Sequence, residues 1–158
     1  MNNRSLLKGI SFGLTSGIIT TLGLIIGINA STASKETIMA AIAVIALADG
    51  LSDAMGIHLS EESQGSKNST LWTTSITTFL AKFIFAISFL LFFLVFDTPI
   101  AVSLSIIWGF SLIGLFTLYL AKKQHTNPYK TVSLHILAAI VVVVATHYIG
   151  YGIHLLIM

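Results

Sequence analysis

Apolar residues fill most of this chain in five long blocks, and short polar segments separate the blocks. Each block holds about 20 residues or more, the length that an α-helix needs to cross a hydrocarbon core of about 30 Å. We place the five predicted spans at residues 6–29, 37–60, 71–96, 99–121 and 131–157. The separating segments are STASKE, EESQGSKNST, DTP and KKQHTNPYK. Connections this short make neighbouring spans antiparallel.

Within the blocks, apolar residues do not alternate with polar ones, as the run AIVVVVA illustrates. A strand of a membrane β-barrel needs such alternation over about ten positions. The pattern therefore predicts an all-α integral membrane protein, built as a five-transmembrane-helix bundle. No linker or soluble segment divides it, so we predict a single membrane domain over residues 1–158.

Composition agrees with a lipid environment. Hydrophobic residues make up 55% of the chain, charged residues only 9%, and the mean hydropathy is +0.93, which does not suit a water-facing surface. Eight basic and six acidic residues are too few for a nucleic-acid surface, so we expect no nucleic-acid partner. The absence of cysteine excludes disulfides and thiolate metal sites.

The basic residues near the ends of the spans and in the connecting segments predict the orientation of the bundle. All but Lys35 fall on one side of the predicted membrane. That side holds Arg4, Lys8, Lys67, Lys122, Lys123 and Lys130. Because basic residues are enriched on the cytoplasmic side, we predict a cytoplasmic amino terminus and a carboxyl terminus outside.

Two aspartates stand inside the second apolar block, in the stretch ALADGLSDAMGIHLSEES. Asp49 lies near the middle of span two and Asp53 follows one helical turn later, so both carboxylates share a helix face. An ionised group at this depth is costly, and it usually faces protein or water and has a function. Two adjacent carboxylates suit the binding of a divalent cation, or proton exchange.

Lys82 lies near the middle of span three, at a depth close to that of Asp49. One interpretation is an intramembrane salt bridge that holds spans two and three together. The other is a transport or proton-relay role in which Lys82 tunes the charge of Asp49 and Asp53. Both interpretations hold if Lys82 exchanges an aspartate for a passing ion.

Span one contains glycines at regular steps, with hydroxyl residues among them. The glycines are Gly9, Gly13, Gly17, Gly23 and Gly27. Small residues at this spacing let helix backbones approach closely. We predict that span one is the central or dimer-forming helix; a tight intramolecular contact is the alternative. Ser16, Thr20 and Ser52 are predicted to line an ion pathway with neutral oxygens, and Glu61 and Glu62 to attract cations at its cytoplasmic entrance.

Four stretches support a family resemblance: GLTSGIITTLGLIIGI, ALADGLSDAMGIHLSEES, TNPYK and ATHYIGYGI. Taken in this order on five spans, they resemble the vacuolar iron transporter family, and together they cover nearly the whole chain. The resemblance implies a homodimer whose ion path lies between the two first helices. It also implies export of Fe(II) or Mn(II) from the cytosol in exchange for protons.

The chain departs from the family pattern at several positions. Ser16 stands where the family typically has an aspartate before a glycine, and Val44 or Ile45 stands where it has an acidic residue in span two. A methionine of the family's path aligns near Asp53. The link EESQGSKNST replaces the Glu-rich metal-binding domain that some relatives insert between spans two and three. On this alignment, Asp49 and Asp53 take over the carboxylate role from a different height.

These observations predict a homodimeric secondary transporter of Fe²⁺ or Mn²⁺ in a prokaryotic plasma membrane. Its expected partners are the lipid bilayer and a second copy bound through the first helix. We expect no permanently bound cofactor. The alternative is a non-transporting membrane scaffold or complex subunit with a structural Asp/Lys cluster. We expect no enzymatic activity, because the sequence has no HExxH motif and no Gly-rich phosphate loop.

Overall fold

A computed structural model describes residues 3–157 as five α-helices joined by short turns. They are α1 (Asn3–Ala30), α2 (Lys35–Ser63), α3 (Asn68–Val95), α4 (Thr98–Lys123) and α5 (Pro128–Ile157). Each predicted span lies on one of these helices, with ends that differ by a few residues. The chain ends, for which opposite sides of the membrane are predicted, include residues 1–2 and 158, which lie outside the described residues.

All five helices are long and apolar enough to cross a membrane. A helix of a soluble protein normally carries polar residues on the face that meets water. Sustained apolar composition on all five helices therefore favours a lipid environment. The prediction of a five-helix, all-α architecture is therefore confirmed. The orientation of the bundle stays a prediction.

Three of the turns end a helix in the same way. The N–H of the residue that follows the turn donates to a carbonyl five residues back, in Ala33→Ile28, Ser66→Glu61 and Thr126→Ala121. The residue just before each donor has a left-handed backbone: Thr32, Gly65 and His125. This is the Schellman arrangement, which satisfies carbonyls left over at a helix end. Only Gly65 could be recognised from sequence, since the other two positions are not glycine.

One compact unit comprises Ala40–Leu91 and the described part of Met1–Thr21. In it, α1 packs closely against α3 through three glycines of span one, whose absent side chains leave room for the neighbouring backbone. The contacts advance in the same direction along both helices, with Gly9 against Thr77, Gly13 against Thr78 and Gly17 against Lys82. The two helices therefore run parallel in this unit, as alternating antiparallel neighbours require.

Gly13 gives the sharpest test of this packing. A Cβ at Gly13 would collide with the backbone carbonyl of Thr78 and lie 3.1 Å from the Cβ of Ala81. Gly13→Ala is therefore expected to lower the free energy of unfolding by about 1–3 kcal/mol, the usual cost of overpacking. The measurement is denaturant unfolding in detergent micelles.

The matched control is Gly56→Ala, on α2 of the same unit, where an added Cβ meets nothing within 4 Å. Because alanine favours a helix over glycine, this variant is expected to be neutral or more stable by up to about 1 kcal/mol. Equal stability of the two alanine variants would contradict the close α1–α3 contact.

A second compact unit comprises Leu22–Met39 and the described part of Phe92–Met158. In it, the end of α1 lies against α5, where Thr146 contacts both Gly23 and Gly27. A Cβ at Gly150 would collide with the carbonyl oxygen of Gly27. All five glycines of span one thus make close contacts within the chain, the intramolecular alternative stated above. A homodimer through the first helix stays a prediction.

Candidate functional site

The ammonium group of Lys82 joins three polar residues from two other helices. Its Nζ forms ion pairs with Asp49 and with Asp53 Oδ2, the latter at 2.5 Å. It also donates to Ser16 Oγ at 2.9 Å, and that hydroxyl donates to Asp53 Oδ2 at 2.7 Å. The salt bridge that the sequence suggested between spans two and three is therefore present, and it includes span one. We call these four residues the Lys82 cluster.

Helix geometry explains why these residues meet. Asp49 and Asp53 are one turn apart on α2, so their side chains point the same way and reach one ammonium group. Gly17 lets α1 approach α3 closely, because its missing Cβ would lie only 3.0 Å from the carbonyl oxygen of Lys82. The residue before it, Ser16, is thereby held within hydrogen-bonding distance of Lys82.

Burial is uneven within the Lys82 cluster. The side chain of Lys82 is 1% exposed, whereas those of Asp49 and Asp53 are 32% and 20% exposed. One ammonium faces two carboxylates, so the cluster carries a formal charge of −1 if all three groups are ionised. Asp49 Oδ2 is buried, and the Lys82 ammonium is its partner. The cluster thus combines a buried cation with two acidic side chains that are partly exposed.

Two hydroxyls predicted to line a pathway do not join the Lys82 cluster by hydrogen bonds. Thr20 Oγ1 donates to the carbonyl of Ser16, one turn before it on the same helix. Ser52 is exposed on α2. Of the residues predicted for the site, the structure therefore brings together Ser16, Asp49, Asp53 and Lys82.

The two glutamates predicted at the cytoplasmic entrance differ in their surroundings. Glu61 is buried, forms an ion pair with Lys8 and accepts a hydrogen bond from Ser66 Oγ at 2.7 Å. Glu62 is exposed. The charge of Glu61 is therefore already matched by a lysine, which leaves Glu62 as the better placed of the two to attract a cation.

The Lys8–Glu61 pair was not predicted from the sequence. The signal available was that Lys8, near the start of predicted span 6–29, and Glu61, just after predicted span 37–60, carry opposite charges on the same predicted side. The hydrogen bond from Lys8, followed by that from Ser66, lowers the pKa of the Glu61 carboxyl, which lies just beyond predicted span 37–60. Stability from this pair is therefore present at neutral pH and is lost as the pH falls through that lowered pKa.

Ligand chemistry in the cluster is limited to oxygen. Within residues 3–157, no group of three or more His, Cys, Asp or Glu side chains is arranged to hold a metal ion. Two carboxylates and one hydroxyl converge instead on the Lys82 ammonium. A metal ion would have to compete with that ammonium for the carboxylate oxygens.

No protein-family model, no curated protein and no solved structure matches this chain. The resemblance to the vacuolar iron transporter family consequently stays a prediction from its sequence motifs. The functional argument below depends on the chemistry of the Lys82 cluster.

Proposed function

We propose that this protein is a secondary transporter that exports Fe²⁺ or Mn²⁺ from the cytosol across a prokaryotic plasma membrane in exchange for protons. The observation that supports it best is the Lys82 cluster, in which two partly exposed carboxylates share one buried ammonium. Ionisable groups on membrane-spanning helices usually mark ion or proton pathways. The five helices are long and apolar enough for such spans.

In this proposal the ammonium of Lys82 occupies the site where the transported ion binds. A divalent cation that binds Asp49 and Asp53 beside a charged Lys82 changes the formal charge of the cluster from −1 to +1. If Lys82 gives up a proton at the same time, the charge becomes zero, which costs least in a low-dielectric environment. Metal binding is thereby coupled to proton release, as a metal–proton exchanger requires.

The available donors favour a particular class of metal. Carboxylate and hydroxyl oxygens come from Asp49, Asp53 and Ser16, and the chain has no cysteine to supply a thiolate. Oxygen ligands suit Mn²⁺ and Fe²⁺ better than softer ions such as Cu(I). The metal is substrate in this proposal and not a resident cofactor.

A second copy of the chain would complete the pathway. In the first unit, α1 keeps a partly exposed strip that includes Phe12, Thr15 and Ile19, beside Ser16 of the Lys82 cluster. A homodimer formed over this strip would place the second copy next to Ser16 of the Lys82 cluster. This arrangement retains the predicted dimer through the first helix and leaves its glycines in their intramolecular contacts.

The same cluster also favours a second candidate function, a non-transporting membrane scaffold or complex subunit. Lys82 contacts both carboxylates, and Ser16 adds two hydrogen bonds that tie the three helices together. In a scaffold, these interactions hold α1, α2 and α3 in place and no ion displaces the ammonium.

Metal flux into proteoliposomes discriminates the two candidates. The transporter proposal expects the wild-type protein to move Mn²⁺ or Fe²⁺ toward the more acidic side of an imposed pH gradient, in a panel that also contains Co²⁺ and Zn²⁺. It further expects Asp49→Asn/Lys82→Met, which keeps the cluster at a formal charge of −1, to fold and lose flux. Wild-type protein that is folded, inserted and inactive toward all four metals would support the scaffold instead.

A further inference from the structure

A groove of about 700 Å³ lies between α4 and α5 in the second unit. Most of its lining residues are apolar, and they include Gly114, Leu118 and Ile136. Lys122 and Tyr129 line it where the two helices meet their connecting turn. The volume is within the range of about 300–1,000 Å³ that is typical of small-molecule sites. The groove thus combines a long apolar wall with a basic end.

The charge at this end of the groove is not compensated nearby in the sequence. Lys122, Lys123 and Lys130 are all exposed, and residues 98–158 contain no aspartate or glutamate. Exposed Tyr119 and Tyr129 accompany them, and Lys123 Nζ lies 5.8 Å from the centre of the Tyr119 ring. Tyrosine and lysine together are typical of the level of lipid headgroups. The basic end therefore complements an anionic group.

We propose that this groove binds an anionic phospholipid, with one acyl chain between α4 and α5 and the phosphate at the basic end, where Lys122 lines the groove and Lys130 follows the lining residue Tyr129. Basic pockets between membrane helices on the cytoplasmic side are suited to anionic headgroups. A zwitterionic lipid fits less well, because no acidic residue of α4 or α5 can pair with its choline group. The inference depends on the membrane location proposed above but not on metal transport.

The test is a lipid titration of the purified, detergent-solubilised protein, followed by native mass spectrometry. Phosphatidylglycerol and phosphatidylcholine with identical acyl chains are compared. The wild type is expected to retain phosphatidylglycerol preferentially. Lys122→Gln/Lys130→Gln is expected to bind it about 25-fold more weakly, from the contribution of two lysines to anionic lipid binding. Lys35→Gln/Lys67→Gln removes the same charge elsewhere and is expected to bind like the wild type.

A second pair of variants tests the acyl-chain site. Gly114 lines the groove, and an added Cβ there meets nothing within 4 Å, so Gly114→Leu fills the groove without displacing protein atoms near the Cβ. Gly152 on α5 has equally open space and is not among the lining residues, so Gly152→Leu is the matched control. Gly114→Leu is expected to lose phosphatidylglycerol, and Gly152→Leu to keep it.

Three results would overturn the proposal. They are equal retention of both lipids, unchanged binding by Gly114→Leu, and displacement of the lipid by inorganic phosphate at equal concentration, which would indicate a phosphate site. Lipid binding by a protein without metal flux would remove the transport proposal and keep this one. Recovery of the protein in the soluble fraction without detergent would instead remove the membrane location on which both depend.

Discussion

Replacing the buried lysine, Lys82→Met, is expected to lower the free energy of unfolding by about 3–5 kcal/mol, the usual cost of removing one partner from a buried ion pair. Methionine fills much of the same space, so loss of packing contributes little. What is lost is the cation that Asp49 and Asp53 share, together with the hydrogen bond to Ser16. Two carboxylates one turn apart are then left facing each other.

The measurement is unfolding of the purified protein by denaturant in detergent micelles. The triple variant Lys82→Met/Asp49→Asn/Asp53→Asn removes the repulsion as well as the cation, so it is expected to recover most of the lost stability. Lys67→Met, at an exposed position outside the cluster, serves as the control for loss of a lysine. A single variant Lys82→Met within about 1 kcal/mol of the wild type would show that Lys82 is not the counter-ion of both aspartates.

The helical architecture was predictable from the length of the apolar runs. A chain segment in lipid must satisfy its own backbone hydrogen bonds, so an apolar run of sufficient length gives a helix almost without regard to its neighbours. The five helices match the predicted spans to within a few residues. Helix ends were less predictable, since Thr32 and His125 adopt a left-handed backbone that their side chains do not signal.

The Lys82 cluster was predictable in part, for a similar reason. Counting residues along each predicted span gives the predicted depth of a side chain in the membrane. This count placed Lys82 near the depth of Asp49. Spacing along a helix placed Asp53 on the same face as Asp49. Neither count reveals which helices touch, so the choice between a salt bridge and an ion pathway stayed open.

The sequence did not determine which helices contact each other. The spacing of Gly9, Gly13 and Gly17 indicates that some backbone comes close, but it does not say that α3 supplies it. The pairing of Lys8 with Glu61 depends on the same unknown, because the two residues are 53 positions apart. Both contacts depend on how α1, α2 and α3 pack together in the first unit.

The ion pairs of Lys82 restrict how a transported metal ion can bind Asp49 and Asp53. Since the ammonium already contacts both carboxylates, a metal ion binds the two of them only if the ammonium moves away or releases its proton. In such a site the protonated lysine competes with the metal ion for the carboxylates. The affinity for the metal therefore falls as the proton concentration rises. We therefore expect transport to weaken as the cytosolic side becomes more acidic, which is the sign that export by proton exchange requires.

The largest effect on function is expected for Asp53→Asn, which should reduce metal-driven flux in proteoliposomes at least about a hundredfold. Changes to residues that only support a metal ligand cost about 10–100-fold, and Asp53 is proposed as a ligand itself. Its Oδ2 accepts from both Lys82 and Ser16, so it is the acceptor at the centre of the cluster. Asparagine keeps the size of the side chain and removes its charge.

Folding and flux are separable in this variant. Asp49 still pairs with Lys82 after Asp53→Asn, so the ammonium keeps one counter-ion and the protein is expected to remain folded by size-exclusion chromatography. Asp97→Asn makes the same chemical change in the exposed turn before α4 and is expected to leave flux unchanged. Undiminished flux in folded Asp53→Asn would mean that the ion does not use this carboxylate, and the cluster would then be the structural tie of the scaffold.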